Sequence, residues 1–168
     1  MSLRQSLRDD PRTTLFDQID ATSTSMLGIE GSTRPPQPMT HHLTRETAEL
    51  WFLTSRQTDL VRDVGLGARG VVVFVNDDHS LHAALTGAIV QSADAGHIDA
   101  IWSPAAAAWF PGGRDDLDLI ALRLTLQDAQ VWVSSRSSLR TGMELLRSAL
   151  DSAHEPDLST HMLLEFNG

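Results

Sequence analysis

Two segments of this chain carry side chains that could hold a ligand. Leu50-Trp51-Phe52-Leu53-Thr54-Ser55-Arg56 is an apolar strand ending in two hydroxyls and a guanidinium, a set of donors suited to an anion. Trp102-Ser103-Pro104 and Trp109-Phe110-Pro111-Gly112-Gly113 place large aromatics in a segment that stops at a tight turn. Aromatic faces stack on flat rings. Together the segments suit a flat, partly anionic ligand such as flavin mononucleotide (FMN). Neither suggests hydrolysis: there is no G-x-S-x-G elbow and no Ser-His-Asp grouping that spacing supports.

A phosphate needs several convergent donors. Thr54, Ser55 and Arg56 supply three. Thr58 follows as the N-cap of a short helix carrying Leu60, Val61 and Val64, whose N-terminus is a further anion-binding element. Apolar walls for a ring could come from Trp51 or Phe52, Trp102 and Trp109. The alternative for Trp51 and Phe52 is a plain core role, and for Thr54-Ser55-Arg56 an ordinary strand end.

Composition narrows the chemistry. The chain of 168 residues has no Cys, so it has neither disulfides nor a thiolate nucleophile. All 13 cationic side chains are Arg; without Lys there is no Schiff base and no phosphate-loop lysine. An anion here must rely on Arg, hydroxyls and backbone N–H groups. The net charge of −9 repels nucleic-acid backbones and anionic membranes, so neither is expected as a partner. No run of 18 apolar residues and no signal sequence is present, and a soluble cytoplasmic protein is expected.

The elements that must position these residues follow from pattern. Asp10-Pro11 starts a helix carrying Leu15, Phe16 and Ile19. Ser25–Ile29 reads as a strand with a turn at Glu30-Gly31. Residues 34–38, rich in proline, are extended or an edge. Met39–Thr44 and Leu50–Thr54 are two strands, followed by the Thr58 helix. Gly70–Val75 and Leu81–Val90 are strands, the first a β-branched run. Ala95–Trp109 is a helix split or kinked at Pro104. Leu119–Leu126 alternates, with Ile120, Leu122 and Leu124 on one face, then turns at Gln127-Asp128 into Val131–Val133. Leu139, Met143, Leu146 and Leu150 form a last amphipathic helix. Met162–Phe166 adds an edge strand or packs on a partner. The result is an α+β fold: a six-stranded antiparallel barrel with flanking helices in a single domain over 1–168. Its core spans 12–135, with a C-terminal helix and tail over 137–168.

Some motifs match by letter only. Gly65-Leu66-Gly67-Ala68-Arg69-Gly70 spells G-x-G-x-x-G, but a helix precedes it and a strand follows, the reverse of a dinucleotide fingerprint; Gly65 is a helix C-cap. His41 and His42 are neighbours on a strand and face opposite ways, one toward the cleft and the other toward solvent. His79, His82, Asp115, Asp116 and Asp118 lack the spacing of a metal site, and none is expected.

Gln37-Pro38-Met39-Thr40, Leu50 to Arg56, Leu85-Thr86-Gly87, Ile101 to Pro104 and Ala108 to Gly113 with Asp118-Leu119 together resemble the general stress protein 26-like branch of the pyridoxamine 5′-phosphate oxidase-like, FMN-binding split-barrel family, from Leu15 to Val133. The resemblance implies a split barrel that dimerises and holds FMN in a cleft built by two copies. Thr54, Ser55 and Arg56 match the segment receiving the FMN phosphate, on the strand of Phe52 and Leu53, with Thr58 after it. Pro38, Met39 and Thr40, preceded by Gln37, match the strand beside the isoalloxazine ring and ribityl chain. Trp102, Trp109 and Phe110 match aromatic positions near the flavin or the dimer seam. Gln37 stands where many relatives carry Arg, and Leu60 where many carry Lys. The resemblance leaves three functions open: a flavin-holding redox protein, carrier or sensor; a flavin-dependent oxidoreductase; or a flavin-free structural dimer. It assigns no catalytic residue.

Overall fold

The computed structural model describes residues 2–134 and 159–166. Two helices open the chain, α1 (Leu3–Asp9) and α2 (Pro11–Asp20), and Asp10 caps the second by accepting from Thr13 N. Eight strands follow: β1 (Thr24–Ile29), β2 (Gln37–Thr40), β3 (His42–Thr44), β4 (Glu49–Ser55), β5 (Ala68–Val75), β6 (Leu81–Ser92), β7 (Leu119–Ser134) and β8 (Ser159–Glu165). Helix α3 (Asp59–Val64) lies between β4 and β5. Helices α4 (Ala95–Ile101) and α5 (Pro104–Ala107) lie between β6 and β7.

Every strand pairing is antiparallel, in the order β2-β1-β5-β6-β7-β4-β3, with β8 also on β7. The sheet curls into the half-barrel of a split-barrel fold, as the sequence implies, with eight strands rather than six. The long strand β7 organises it. Along one side β7 pairs with β6; along the other, its first half pairs with β4 and its second half with β8.

Two local expectations change. Met39–Thr44 is not one strand. His41 interrupts it, so β2 joins β1 while β3 joins β4, and the chain crosses between the two ends of the sheet there. Gln127-Asp128 is not a turn. Thr86 pairs with Asp128 and Gly87 with Leu126, leaving Gln127 as the extra residue of a β-bulge inside a continuous β7. As expected, the tail adds an edge strand: Met162 to Glu165 lie within β8, and Phe166 just after it stacks on Phe16 of α2 at 5.6 Å. The helix expected around Leu139–Leu150 lies outside the described residues.

The core sits inside the curl. Inward positions of β4 to β7, such as Phe52, Phe74, Leu85, Ile89, Leu122 and Leu124, meet Leu15, Phe16 and Ile19 of α2 and Leu60, Val61 and Val64 of α3. Alternation sends Ile120, Leu122 and Leu124 inward and Leu119 and Ala121 outward. Those outward residues are buried too, because α4 and the Trp102–Phe110 segment cover that face in a second apolar cluster with Trp51, Ile98 and Phe110. Two covered faces explain why β4 and the start of β7 read as nearly continuous apolar runs. Gly65 ends α3 as a C-cap with φ 53°, its N–H on Val61 O, and β5 follows it, which excludes a dinucleotide turn.

Candidate functional site

The covering segment stops short of the barrel's end and leaves a cleft of about 420 Å³ between it and the strands, within the usual size of a small-molecule site. Gln37, Pro38, Met39 and Thr40 of β2 form one wall, with His42 of β3 beside them. Leu53, Thr54 and Ser55 at the end of β4, and Thr58, form the floor and one corner. The opposite wall is Ser103, Ala105, Ala106, Trp109 and Phe110. The alanines of α5 keep that wall low, and Ser103 caps α5 by accepting from Ala106 N at 3.2 Å.

The hydroxyl corner is polar, but its main chain is already engaged. Arg56 N donates to Asp118 O at 2.7 Å, Thr58 N to Ser55 O at 3.1 Å, and Gln57 N to Ser55 Oγ at 3.2 Å. Thr58 Oγ1 donates to Ser55 O and accepts from Val61 N. Helix α3 has only six residues and opens with Asp59, whose carboxylate pairs with Arg62 and Arg34. At the Thr58 helix start, Val61 N is taken by the Thr58 cap, while the Asp59 and Leu60 N–H groups have no hydrogen-bond partner among the described residues. Among side chains, an anion at this corner would meet the hydroxyls of Thr54 and Ser55 and the guanidinium of Arg56.

Arg56 is exposed and is not part of the cleft lining. Its guanidinium has no ion pair or hydrogen bond among the described residues. Arg34, Arg45, Arg62, Arg69, Arg114 and Arg123 are all paired with carboxylates. Asp63 illustrates the contrast: hydrogen bonds from Ser32 and then Arg34 hold its carboxyl below the usual range.

Ten residues singled out from sequence line the cleft: Gln37, Pro38, Met39, Thr40, Leu53, Thr54, Ser55, Thr58, Trp109 and Phe110. Three do not. Phe52 is fully buried in the main core, on the inward face of β4, and cannot be a ligand wall. Trp102 is half-buried, packs into the second cluster and lies 6.0 Å from the Phe110 ring. Arg56 stands outside, as described. Trp51 is core as well: His97 of α4 stacks on it at 4.1 Å and Arg123 lies 5.9 Å from its ring. Trp109 differs from all of these. It is 83 % exposed at the lip of the cleft, and Leu117 nearby in the chain is 92 % exposed.

The sequence reading did not single out Ser103, Ala105 and Ala106, and did not say which histidine faces the cleft. The structure places His42 on the cleft. His41 is buried rather than solvated, because the strand break turns it under α2. Its Nε2 donates to Ile19 O at 3.0 Å, and its Nδ1 shares a hydrogen bond with Ser25 Oγ at 3.1 Å. The acidic stretch 115–118 builds its own turn, with Asp116 accepting from Gly112 N and Asp118 N. Among the described residues no three His, Asp or Glu side chains converge on a point that could hold a metal, and no helix is long and apolar enough to cross a membrane.

The sequence profile of the family described as "Pyridoxamine 5'-phosphate oxidase like" matches residues 10–157. No curated protein matches the chain. Among solved structures, one described as a general stress protein 26 from Jannaschia sp. CCS1 is 27% identical, with 94% of this chain and 99% of that chain covered and a TM-score of 0.75. A general stress family protein of Xanthomonas campestris pv. campestris is 30% identical, over 78% of this chain and 91% of that chain, with a TM-score of 0.68. The general stress FMN/FAD binding protein of Xanthomonas citri is 32% identical, over 73% of this chain and 89% of that chain, with a TM-score of 0.66. The profile match spans most of the sequence, and with these structures it shows that the chain belongs to the pyridoxamine 5′-phosphate oxidase like family, in its general stress protein 26-like branch.

Proposed function

We propose that this protein is a homodimeric FMN-binding redox protein of the general stress type, a flavin-dependent oxidoreductase or a flavin carrier or sensor. The observation that carries the reading is the cleft itself. It has the hydroxyls of Thr54 and Ser55 at one end, where Arg56 follows in the chain without an ion pair among the described residues, a strand wall of Gln37 to Thr40, and an exposed indole at its lip. The Xanthomonas citri relative, an FMN/FAD binding protein, supports it. When bound, the flavin would supply reversible electron transfer. The chain's own residues would bind and orient it: Thr54, Ser55 and Arg56 at the phosphate, Pro38, Met39 and Thr40 along the ribityl chain and ring, and Leu53 and Phe110 as apolar surface that excludes water.

Two copies complete the reading. Trp109, at the cleft, and Leu117, further along the same connection, are large apolar side chains left in water, and a second copy seated on Trp109 would both cover it and close over the ligand. Oxidation of pyridoxamine 5′-phosphate itself is not favoured, because that substrate brings a second phosphate and no Arg lines the cleft. With an acidic chain, the proposed partners are FMN and a second copy, without nucleic acid or membrane, in the cytoplasm.

The test is the visible spectrum of protein purified without added cofactor, followed by FMN titration read by fluorescence quenching. A flavin spectrum or saturable quenching is expected. A colourless protein that leaves FMN fluorescence unchanged would favour a flavin-free dimer instead. Rapid mixing of the loaded protein with NADH or NADPH under argon then separates functions: bleaching within seconds marks a reductase, and a stable spectrum marks a carrier or sensor.

Trp109→Ala gives a second measurement. Because the indole is exposed in the single chain, the substitution should leave the melting temperature of the chain unchanged. It should weaken dimerisation, flavin binding or both by about tenfold or more, the scale of a tryptophan anchor covered in a complex. Sedimentation velocity and FMN titration both matching the parent would remove Trp109 from the site.

A further inference from the structure

Two adjacent histidines on this strand have opposite environments. His41 is buried with both ring nitrogens hydrogen-bonded inside the protein. His42 is half-buried, lines the cleft and has no hydrogen-bond partner among the described residues. Withdrawing an imidazole from water without giving it a partner is unfavourable, and such a group usually meets a ligand or ordered water. Its place in the sheet fits a ligand. His42 lies opposite Trp51 in the β3–β4 register, and Ser55 is four residues further along β4, on the order of 13 Å away along the strand. A ligand anchored by its phosphate at Ser55 and extended through a five-carbon chain would bring its ring, not its phosphate, to His42.

The surroundings of His42 disfavour its charged form. Burial first, and the neighbouring His41 second, hold its pKa below the ordinary histidine range. β2 and α5, the elements facing it across the cleft, contain no ionisable side chain. On β4, Glu49 is occupied by Thr47 Oγ1 and Trp51 Nε1, and His97 of α4 is stacked on Trp51. Arg56, outside the cleft lining, follows Ser55 at the far, hydroxyl end. A neutral imidazole offers one donor and one acceptor, whereas a protonated one only donates.

We infer that His42 contacts the ring of the bound ligand at its polar edge, giving and taking hydrogen bonds there, while the Thr54–Ser55–Arg56 corner holds the anionic end. This rests on the flavin reading. A flavin's pyrimidine edge alternates carbonyl acceptors with an N–H donor, which a neutral imidazole complements. His42 is then a positioning and specificity residue, selecting ring systems with that edge over purely apolar ones.

Nitrogen NMR of histidine-labelled protein, with His42 assigned from His42→Gln, tests this during FMN titration. The His42 ring nitrogens should shift on binding while those of buried His41 stay in place, and the His42 titration midpoint should move between free and bound protein. His42→Leu, which keeps bulk but neither donor nor acceptor, should weaken FMN binding about tenfold, the scale of one or two neutral hydrogen bonds. His42→Gln, which restores both, should recover most of that loss. Unmoved His42 resonances, or equal FMN affinity for His42→Leu and the parent, would overturn the inference while leaving the flavin reading intact. A parent that binds no FMN would overturn the flavin reading, and His42's role with it.

Discussion

Arg56→Ala is expected to lower FMN affinity by about tenfold to a hundredfold, the equivalent of one charge-assisted hydrogen bond of roughly 1.5–3 kcal/mol. The size follows from composition and structure together. No lysine exists to share the phosphate charge. The backbone N–H groups of Arg56, Gln57 and Thr58 are already bound within the turn, so they cannot take over. Six other arginines are tied to carboxylates. Arg56 holds no ion pair among the described residues, so its loss should leave chemical and thermal stability unchanged. The parent's affinity should also fall with added salt, because an exposed guanidinium is screened, and the variant's should fall less. Isothermal titration at two ionic strengths checks both statements. Equal affinity of variant and parent would remove Arg56 from the phosphate site.

Gly87→Ala should destabilise the fold by about 3 kcal/mol or more, the upper range of overpacking effects, against a total of roughly 5–15 kcal/mol for a typical domain. Gly87 sits at the bulge where β6 and β7 slip by one residue. A Cβ there would lie 1.9 Å from the carbonyl oxygen of Thr125 and 2.8 Å from its carbon. Those are main-chain atoms of the central strand pair and cannot rotate aside. Relief would require separating β6 from β7, the longest pairing in the sheet. Urea unfolding followed by circular dichroism measures the loss. The bulge also carries Thr86 Oγ1 donating to Asp128 Oδ1 at 2.7 Å, and Arg69 bonded to Asp128, Gln127 and Thr86. An Ala variant with parental stability would mean that the strands meet differently at this point.

Much of the fold is legible in the amino-acid order because the signals are local. Asp10-Pro11, Thr58 and Gly65 act within one helical turn, and each marks a helix end in the structure. The β-branched run Val71 to Val75 and the alternation from Leu119 are equally local. The readings that changed depend on pairing across the sheet. Gln127-Asp128 looks like a turn in isolation, but β6 runs beside it without a break and absorbs the extra residue as a bulge. His41 looks like an ordinary strand position, yet a strand shared by the two ends of the curled sheet must break somewhere, and it breaks there.

The candidate site divides the same way. Residue types determined that any anion must be met by hydroxyls, arginine and main-chain amides, and the family resemblance joined Gln37 to Thr40 to the strand end and aromatics as one set; all but Arg56, Phe52 and Trp102 of that set border one cleft. Only the tertiary structure decided which aromatics are available. Trp51 and Phe52 are adjacent in sequence and point to opposite faces of β4, and both faces are covered, one by the barrel core and the other by α4. Trp109 escapes because α5 ends before it. Tertiary packing also assigned His41 to the interior and His42 to the cleft, and it engaged the amides of Arg56, Gln57 and Thr58 within the protein. Side-chain chemistry is written in the sequence, whereas which groups remain unsatisfied after folding depends on what every other segment covers.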